Sequence, residues 1–269
     1  MRTICFGAGY FGLNYIRELA GNLVAVVETD PYRAEIVKQT YNVPVYPELP
    51  PHLNFDAAIV ATPPDTHISI AKGLLAAGHY VLIEKPFATS MEEALQLHKW
   101  RQRCMAGMLY LYHPEVERLK RIVKDVPLNH AYSRRTNDGP IRPWQNALWD
   151  LAAHDVSIFN YVLGHTPHAM EVIGTRDWAV LRMLYVAVDT VSYVSWNGGP
   201  KMRQIELVPQ ESGDRIIFDD IKTVLEVTPM RLMLNAFLSG DWDGRCSYDA
   251  GMEVVSVIDR LNEAGHEAY

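Results

Sequence analysis

The sequence predicts an α/β fold in two parts, a doubly wound parallel sheet followed by an α+β domain with a mostly antiparallel open sheet. Three observations lead there. From Arg2 to about Leu109, short apolar β-branched runs alternate with longer amphipathic stretches. A glycine-rich turn follows the first of these runs. After Pro114 the rhythm changes, and strand-like segments succeed one another without regular helical crossovers.

In the first part the expected strands are Thr3-Phe6, Leu23-Glu28, Ala57-Ala61, Tyr80-Ile83 and Met105-Leu109. Helical periodicity falls near Phe11-Ala20, Tyr32-Tyr41, Thr66-Ala77 and Met91-Arg103, with Gly21-Asn22 and Gly78 as stops. The second part has helices near Glu115-Lys124 and Trp149-Leu163, then strand composition near His168-Gly174, Thr190-Trp196, Lys201-Val208 and Arg215-Phe218. Asn197-Gly198-Gly199 reads as a hairpin turn. The apolar run Trp178-Val188 suits helix or strand, and an amphipathic helix over about Tyr248-Glu263 closes the chain. The expected division is a dinucleotide-binding domain over residues 1–117 and a shortened domain for substrate and oligomerisation over residues 118–269.

Composition narrows the function classes. The 269 residues are 48% hydrophobic and 21% charged, enough for a sizeable core, which excludes a disordered, collagenous or coiled-coil chain. A net charge of -7 argues against a surface that neutralises nucleic-acid phosphates. Cys5, Cys104 and Cys246 are far apart and odd in number, so no disulfide framework or zinc knuckle is indicated. No apolar run reaches the roughly 18 residues of a membrane span. The first residues already have strand composition, so the expected location is the cytoplasm. His165 and His168 lack a surrounding ligand set, and no metal is expected.

Gly7-Ala8-Gly9-Tyr10-Phe11-Gly12 fits G-x-G-x-x-G between a predicted strand and a predicted helix, the setting of a dinucleotide-binding (Rossmann) turn. In such a turn the first glycine permits the bend, the second lets the backbone approach a pyrophosphate, and the third lets helix and strand pack closely. Glu28 ends the second strand, where an acidic residue bonds the adenosine ribose hydroxyls and repels a 2′-phosphate. NAD is therefore expected over NADP, with Arg33 the nearby residue that argues the other way. A solvated strand-end charge is the alternative reading of Glu28.

Four blocks resemble the Gfo/Idh/MocA oxidoreductase family, named for glucose-fructose oxidoreductase and inositol dehydrogenase. They are Gly7 to Arg17, Ala61-Thr62-Pro63-Pro64-Asp65-Thr66-His67, Glu84-Lys85-Pro86 and Trp149-Asp150-Leu151-Ala152-Ala153-His154-Asp155. Met108 stands where the family often has His, and Ala153 where it usually has Pro. The resemblance implies an NAD(P)-dependent oxidoreductase acting on a sugar or nucleotide-sugar. It places Thr62, Pro63, His67, Glu84, Lys85 and Pro86 around the nicotinamide half of the cofactor. It also implies that Asp150 binds substrate and His154 is catalytic, with Tyr112, Asn146 and Trp149 as further pocket candidates, while Asn137 is a candidate by its place in the turn-rich arginine segment before Trp149.

The residue types suit that chemistry. Hydride transfer from a carbinol needs a group to take the hydroxyl proton. An unperturbed histidine side chain exchanges a proton near neutrality, which suits His154, and Asp150 lies four residues earlier on the same predicted helix, where its carboxylate would orient the imidazole. Lys85 follows a core strand at the edge where open α/β sheets bind ligands. Either Lys85 or His154 could be the proton acceptor, with a snorkelling surface lysine and a merely capped histidine as the alternatives without chemistry. Arg134 and Arg142 could hold an anionic substituent, or be solvated. Two other functions fit the same loop: a redox-assisted glycosidase that keeps NAD bound, and a silent NAD(H)-binding regulator. The open sheet of the second part predicts an apolar face that a homodimer or homotetramer would cover.

Overall fold

The structure is a computed structural model describing residues 1–139, 141, 145–211, 214–220, 225–240, 242 and 244–266. The chain forms two compact units, Met1–Leu109 with Met230–Met252, and Tyr110–Pro229 with Glu253–Tyr269.

The first unit holds β1 (Thr3–Phe6), α1 (Gly12–Leu19), β2 (Leu23–Val27), α2 (Pro31–Tyr41), β3 (Val45–Tyr46), β4 (Ala57–Val60), α3 (Pro64–Ala76), β5 (Tyr80–Glu84), α4 (Met91–Leu95) and β6 (Cys104–Gly107). The strands make a six-stranded sheet in the order β3-β2-β1-β4-β5-β6, with every pair parallel. β1 and β4 are buried throughout, as expected of β-branched strands covered on both faces. The chain leaves β1 toward β3, then returns to β4 on the other side. This reversal opens a crevice at the carboxyl ends of β1 and β4, where such sheets bind ligands.

Local chemistry sets the helix ends. Asp30 caps α2 by accepting from the Tyr32 and Arg33 amides, Pro31 starts the helix, and Asn42 ends it in the left-handed region. The helix expected over Met91-Arg103 is interrupted: α4 stops at Leu95, and a 3₁₀ stretch over His98–Arg103 is broken by the non-helical Trp100.

The second unit contains α5 (Pro114–Asp125), β7 (Leu128–Asp138), α6 (Ala153–Leu163), β8 (Ala169–Gly174), β9 (Trp178–Leu184), β10 (Asp189–Ser195), β11 (Asn197–Pro209) and β12 (Ile216–Asp219). Two later helices follow, α7 (Pro229–Ser239) and α8 (Tyr248–His266), of which α7 and the start of α8 belong to the first unit. The sheet order is β12-β11-β7-β10-β9-β8, antiparallel except for the β7–β10 pair.

Two expectations change here. Asn197-Gly198-Gly199 is not a hairpin turn, because β7 lies between β10 and β11 and pairs with both. The three residues instead open β11, where the register with β7 slips between Asn197 and Met202. The apolar run Trp178-Val188 resolves as β9 and a turn closed by the Tyr185 amide on the Val188 carbonyl.

Side chains of this sheet alternate between a buried face and an open one. The buried face carries Ala131, Arg135, Leu181 and Leu207, together with a Ser133–Ser192 hydroxyl hydrogen bond of 2.7 Å. The open face carries Ile173, Ile217 and Tyr132, which are 63%, 55% and 40% exposed. Among the described residues no helix is long and apolar enough to cross a membrane, and no group of three or more His, Cys, Asp or Glu could hold a metal.

Candidate active site

The glycine turn sits where the sheet reverses. Gly7 has φ +89°, and a Cβ there would lie 2.6 Å from the Ala61 carbonyl oxygen, so the turn needs glycine for both conformation and space. A Cβ on Gly12 would lie 2.2 Å from the Gly7 carbonyl oxygen. At Gly9 a Cβ would meet only the Arg33 Nη1, at 3.7 Å. Backbone approach to Gly9 is thus obstructed only by the far end of a flexible side chain, and no side chain caps the start of α1. That combination fits a dinucleotide pyrophosphate at a helix N-terminus. Tyr10 is 80% exposed beside the turn, and the Phe11 ring packs edge-on to Tyr15 at 5.9 Å.

Glu28 is buried rather than solvated. Its Oε2 accepts from the Ala8 amide at 2.6 Å and its Oε1 from the Asp30 amide at 2.8 Å. The carboxylate is thereby fixed beside the turn, its remaining lone pairs suited to ribose hydroxyls. Burial, reinforced by this carboxylate, pushes the Cys5 thiol up to about 12. Arg33 lies 3.7 Å from Asp30, so its charge is already matched, and a 2′-phosphate would meet two carboxylates for one guanidinium. Glu28→Gln is expected to weaken NADH binding about tenfold, the worth of a charge-assisted hydrogen bond, and to narrow the gap to NADPH. Parallel fluorescence titrations with the two cofactors check this.

Two loops flank the glycine turn. Pro63 caps α3, and the Thr66 hydroxyl donates to Thr62 Oγ1 at 2.7 Å. His67 is buried with Nδ1 2.9 Å from the Pro86 carbonyl and Nε2 2.9 Å from the Thr62 carbonyl. It therefore clasps the two loops together. Burial lowers its pKa, while the two carbonyls pull the other way because only a protonated ring can donate to both.

Glu84 is buried and accepts from the Tyr15 hydroxyl at 2.5 Å, tying α1 to the end of β5. Burial, followed by the charge of Glu84, raises the Tyr15 pKa and keeps the phenol a donor. Lys85 follows, half-buried, and its peptide bond to Pro86 is cis. The first unit thus brings the glycine turn, Glu28, Arg33, Thr62, His67, Glu84 and Pro86 into one connected set. Tyr15 was not visible as part of it, since an aromatic residue on the inner face of a helix reads as core.

In the second unit the helix expected from Trp149 begins as a π-helical turn, Leu148–Ala152, before α6. Such widened turns occur frequently at functional sites. The Asp150 and His154 spacing therefore does not fall within one regular α-turn. Asp150 is buried, and its Oδ2 accepts from the indole Nε1 of the fully buried Trp196 at 2.9 Å. Trp196 has no sequence signal beyond its position at the end of an expected strand.

Asn146 acts as a cap, with its Oδ1 accepting from the Trp149 amide at 2.9 Å and its Nδ2 donating to Asn262 at 3.0 Å. His154 is partly exposed, and its ring meets Tyr110 edge-on at 5.0 Å. Tyr112 is buried, and Asn137 sits near the end of β7.

Arg134 and Arg135 point to opposite faces of β7. Arg134 is exposed on the open face, 5.7 Å over the Tyr193 ring, and is not brought together with His154. Arg135 is the buried one, donating through Nε and Nη2 to Asp155 Oδ1 at 2.9 and 2.8 Å. Arg142 lies outside the described residues.

A polar cluster backs this region. The Tyr110 hydroxyl donates to Asp220 Oδ2 at 3.1 Å, with His113 Nε2 and Arg203 Nη1 each 3.4 Å from the same carboxylate. Burial would raise the Asp220 carboxyl, but His113, Arg203 and Tyr110 outweigh it and hold it near about 2. A depressed carboxyl stabilises the fold above its unfolded pKa of about 3.9, and that contribution disappears as pH falls through about 2. After allowance for partial exposure it is about 1–2 kcal/mol. Urea unfolding should therefore lose about this much between about pH 5 and pH 2 in wild type but not in Asp220→Asn.

Residues 1–104 match the model of the family described as "Oxidoreductase family, NAD-binding Rossmann fold". The match covers the stretch that forms most of the parallel sheet of the first unit, and the family it resembles there is described as NAD-binding.

Among individual proteins it is 27% identical over 184 residues to the UDP-N-acetylglucosamine 3-dehydrogenase of Acidithiobacillus ferrooxidans, covering 65% of this chain and 58% of that protein. It is 25% identical over 179 residues to the inositol 2-dehydrogenase of Rhizobium meliloti, covering 60% of this chain and 54% of that protein. The matched stretch thus spans little more than half the length of these curated relatives. The fold is also that of the WlbA dehydrogenase from Bordetella pertussis, crystallised with NADH and UDP-GlcNAcA. The TM-score is 0.86 at 15% identity, covering 100% of this chain and 97% of that one.

Proposed function

We propose that the protein is an NAD-dependent dehydrogenase or reductase acting on a secondary hydroxyl or ketone of a sugar or nucleotide-sugar. The observation that carries this reading is the presence, in one chain, of a dinucleotide turn with a fixed ribose acid and of the Lys85, Asp150 and His154 set. The named activities of the two curated relatives, on UDP-N-acetylglucosamine and on inositol, support the substrate class.

NAD, when bound, supplies the acceptor for the hydrogen on the carbinol carbon. His154 takes the proton from the substrate hydroxyl, and Lys85 is the alternative proton acceptor or a donor to a substrate oxygen on which negative charge grows. Asp150, held by the indole of Trp196, binds a neighbouring substrate hydroxyl. Glu28 selects NAD through the ribose. For assembly, the open face bearing Ile173, Ile217 and Tyr132 is covered by a second copy, giving a homodimer or homotetramer. Light scattering of a monomer at micromolar concentration would contradict that assembly.

The substrate reading is tested by mixing the protein with NAD and a panel of UDP-sugars, dTDP-sugars and inositols. Reduced nicotinamide should accumulate with a member of the first two classes. Turnover of inositols alone would overturn the nucleotide-sugar reading, and no turnover with any member would overturn the whole.

A further inference from the structure

The environment of His154 contains a device that neither the motifs nor the relatives assign. Tyr110 is buried, and its ring stands at 78° to the imidazole of His154 with centroids 5.0 Å apart. The phenol is held at both ends. Its hydroxyl donates to Asp220, and the Arg135 guanidinium lies 4.7 Å over its ring, with that of Arg203 at 5.9 Å. Arg135 is 2% exposed and makes two hydrogen bonds to Asp155, the residue after His154. One buried guanidinium therefore restrains His154 from two directions, through the backbone next to it and through the ring beside it.

We propose that Tyr110 is a positioning residue for His154, its ring, perpendicular to the imidazole, fixing the imidazole plane while Arg135 packed over that ring keeps it from turning. The catalytic consequence rests on reading His154 as the proton acceptor; the restraint on the ring does not. An imidazole free to rotate about its χ angles spends less time in line with a substrate hydroxyl, and misplacement of about 1 Å can cost a hundredfold. The hydroxyl of Tyr110 is secondary in this arrangement, because the ring makes the contact and the hydroxyl only anchors it.

The test compares Tyr110→Phe and Tyr110→Leu by two readouts. The first is the pair of imidazole nitrogen shifts of His154, assigned by their absence in His154→Gln, which report whether one ring tautomer is held. The second is the split between kcat and KM for NAD. Tyr110→Phe keeps the ring and should retain the nitrogen shifts and kcat to within about threefold. Tyr110→Leu should move the shifts toward the values of a freely exchanging imidazole and lower kcat about tenfold or more, with KM for NAD unchanged.

A folded Tyr110→Leu with wild-type nitrogen shifts would overturn the proposal. Altered shifts with undiminished kcat would support the positioning role and count against His154 as the proton acceptor. If Tyr110→Leu fails to fold, Tyr110→Met serves, under the same two criteria.

Discussion

Gly12→Ala should cost about 3 kcal/mol of stability or more and weaken NAD binding about a hundredfold. The added Cβ would sit 2.2 Å from the Gly7 carbonyl oxygen. That neighbour is backbone, held in place by the Gly7 amide's bond to the Val27 carbonyl at 2.9 Å, so no side-chain rotation relieves the clash. The turn or the start of α1 must move, and either movement displaces the amides proposed to face a pyrophosphate. Gly73→Ala in α3 is the control, because a Cβ there meets nothing within 4 Å. It should be neutral or stabilising by up to about 1 kcal/mol, from helix propensity alone. Thermal unfolding with and without NADH separates the two variants. Equal melting temperatures would show that the turn tolerates what its geometry forbids.

Lys85→Ala and His154→Ala should each lower kcat by about a hundredfold to ten-thousandfold, the usual worth of a positioned acid or base. NADH affinity should change little in His154→Ala, since the residues proposed to hold the cofactor belong to the first unit. Lys85→Ala, next to Pro86 and Glu84, should show a modest loss of affinity as well. Conservative variants separate the roles. Lys85→Arg keeps the charge and should retain part of the rate if Lys85 only polarises the oxygen. His154→Gln keeps a hydrogen-bonding group but cannot take a proton, and should be as impaired as His154→Ala. Full activity in either alanine variant would remove that residue from the chemistry.

The parallel unit was legible because its signals are local. Runs such as Thr3-Phe6 and Ala57-Val60 are apolar on both faces, and Gly7 to Gly12 is a contiguous motif in its proper setting. No strand is expected over Leu128–Asp138 from the sequence, although β7 is the central strand of the second sheet, pairing with both β10 and β11. Its buried face carries Ser133 and Arg135 where alternation would demand apolar residues, and their partners Ser192 and Asp155 are distant in sequence. The period of two was therefore hidden by polar groups that only the folded chain satisfies.

The same reason explains the site. Lys85, Asp150 and His154 could be named from motifs, whereas Tyr15 on Glu84, Trp196 on Asp150 and Tyr110 beside His154 are contacts across 69, 46 and 44 positions. α7 starts at Pro229 after Thr228 and stops before Gly240 in the left-handed region, so its start and stop signals are present in the sequence although no helix is expected there from it. The hairpin signal at Asn197-Gly198-Gly199 was sound as turn chemistry but wrong as topology, since β7 inserts between the strands it was thought to join.

The proposed activity moves a hydrogen from a sugar carbon to NAD. The most direct measurement follows deuterium from nucleotide-sugars labelled at their ring carbons, using mass spectrometry of the nicotinamide and of the sugar. A dehydrogenase places the label on the reduced cofactor in proportion to oxidised sugar, and Lys85→Ala and His154→Ala suppress both together. Label that stays on a cleaved sugar with no net reduced cofactor would identify a redox-assisted glycosidase instead. An unlabelled cofactor beside intact sugar, despite NAD binding, would contradict the enzymatic account altogether.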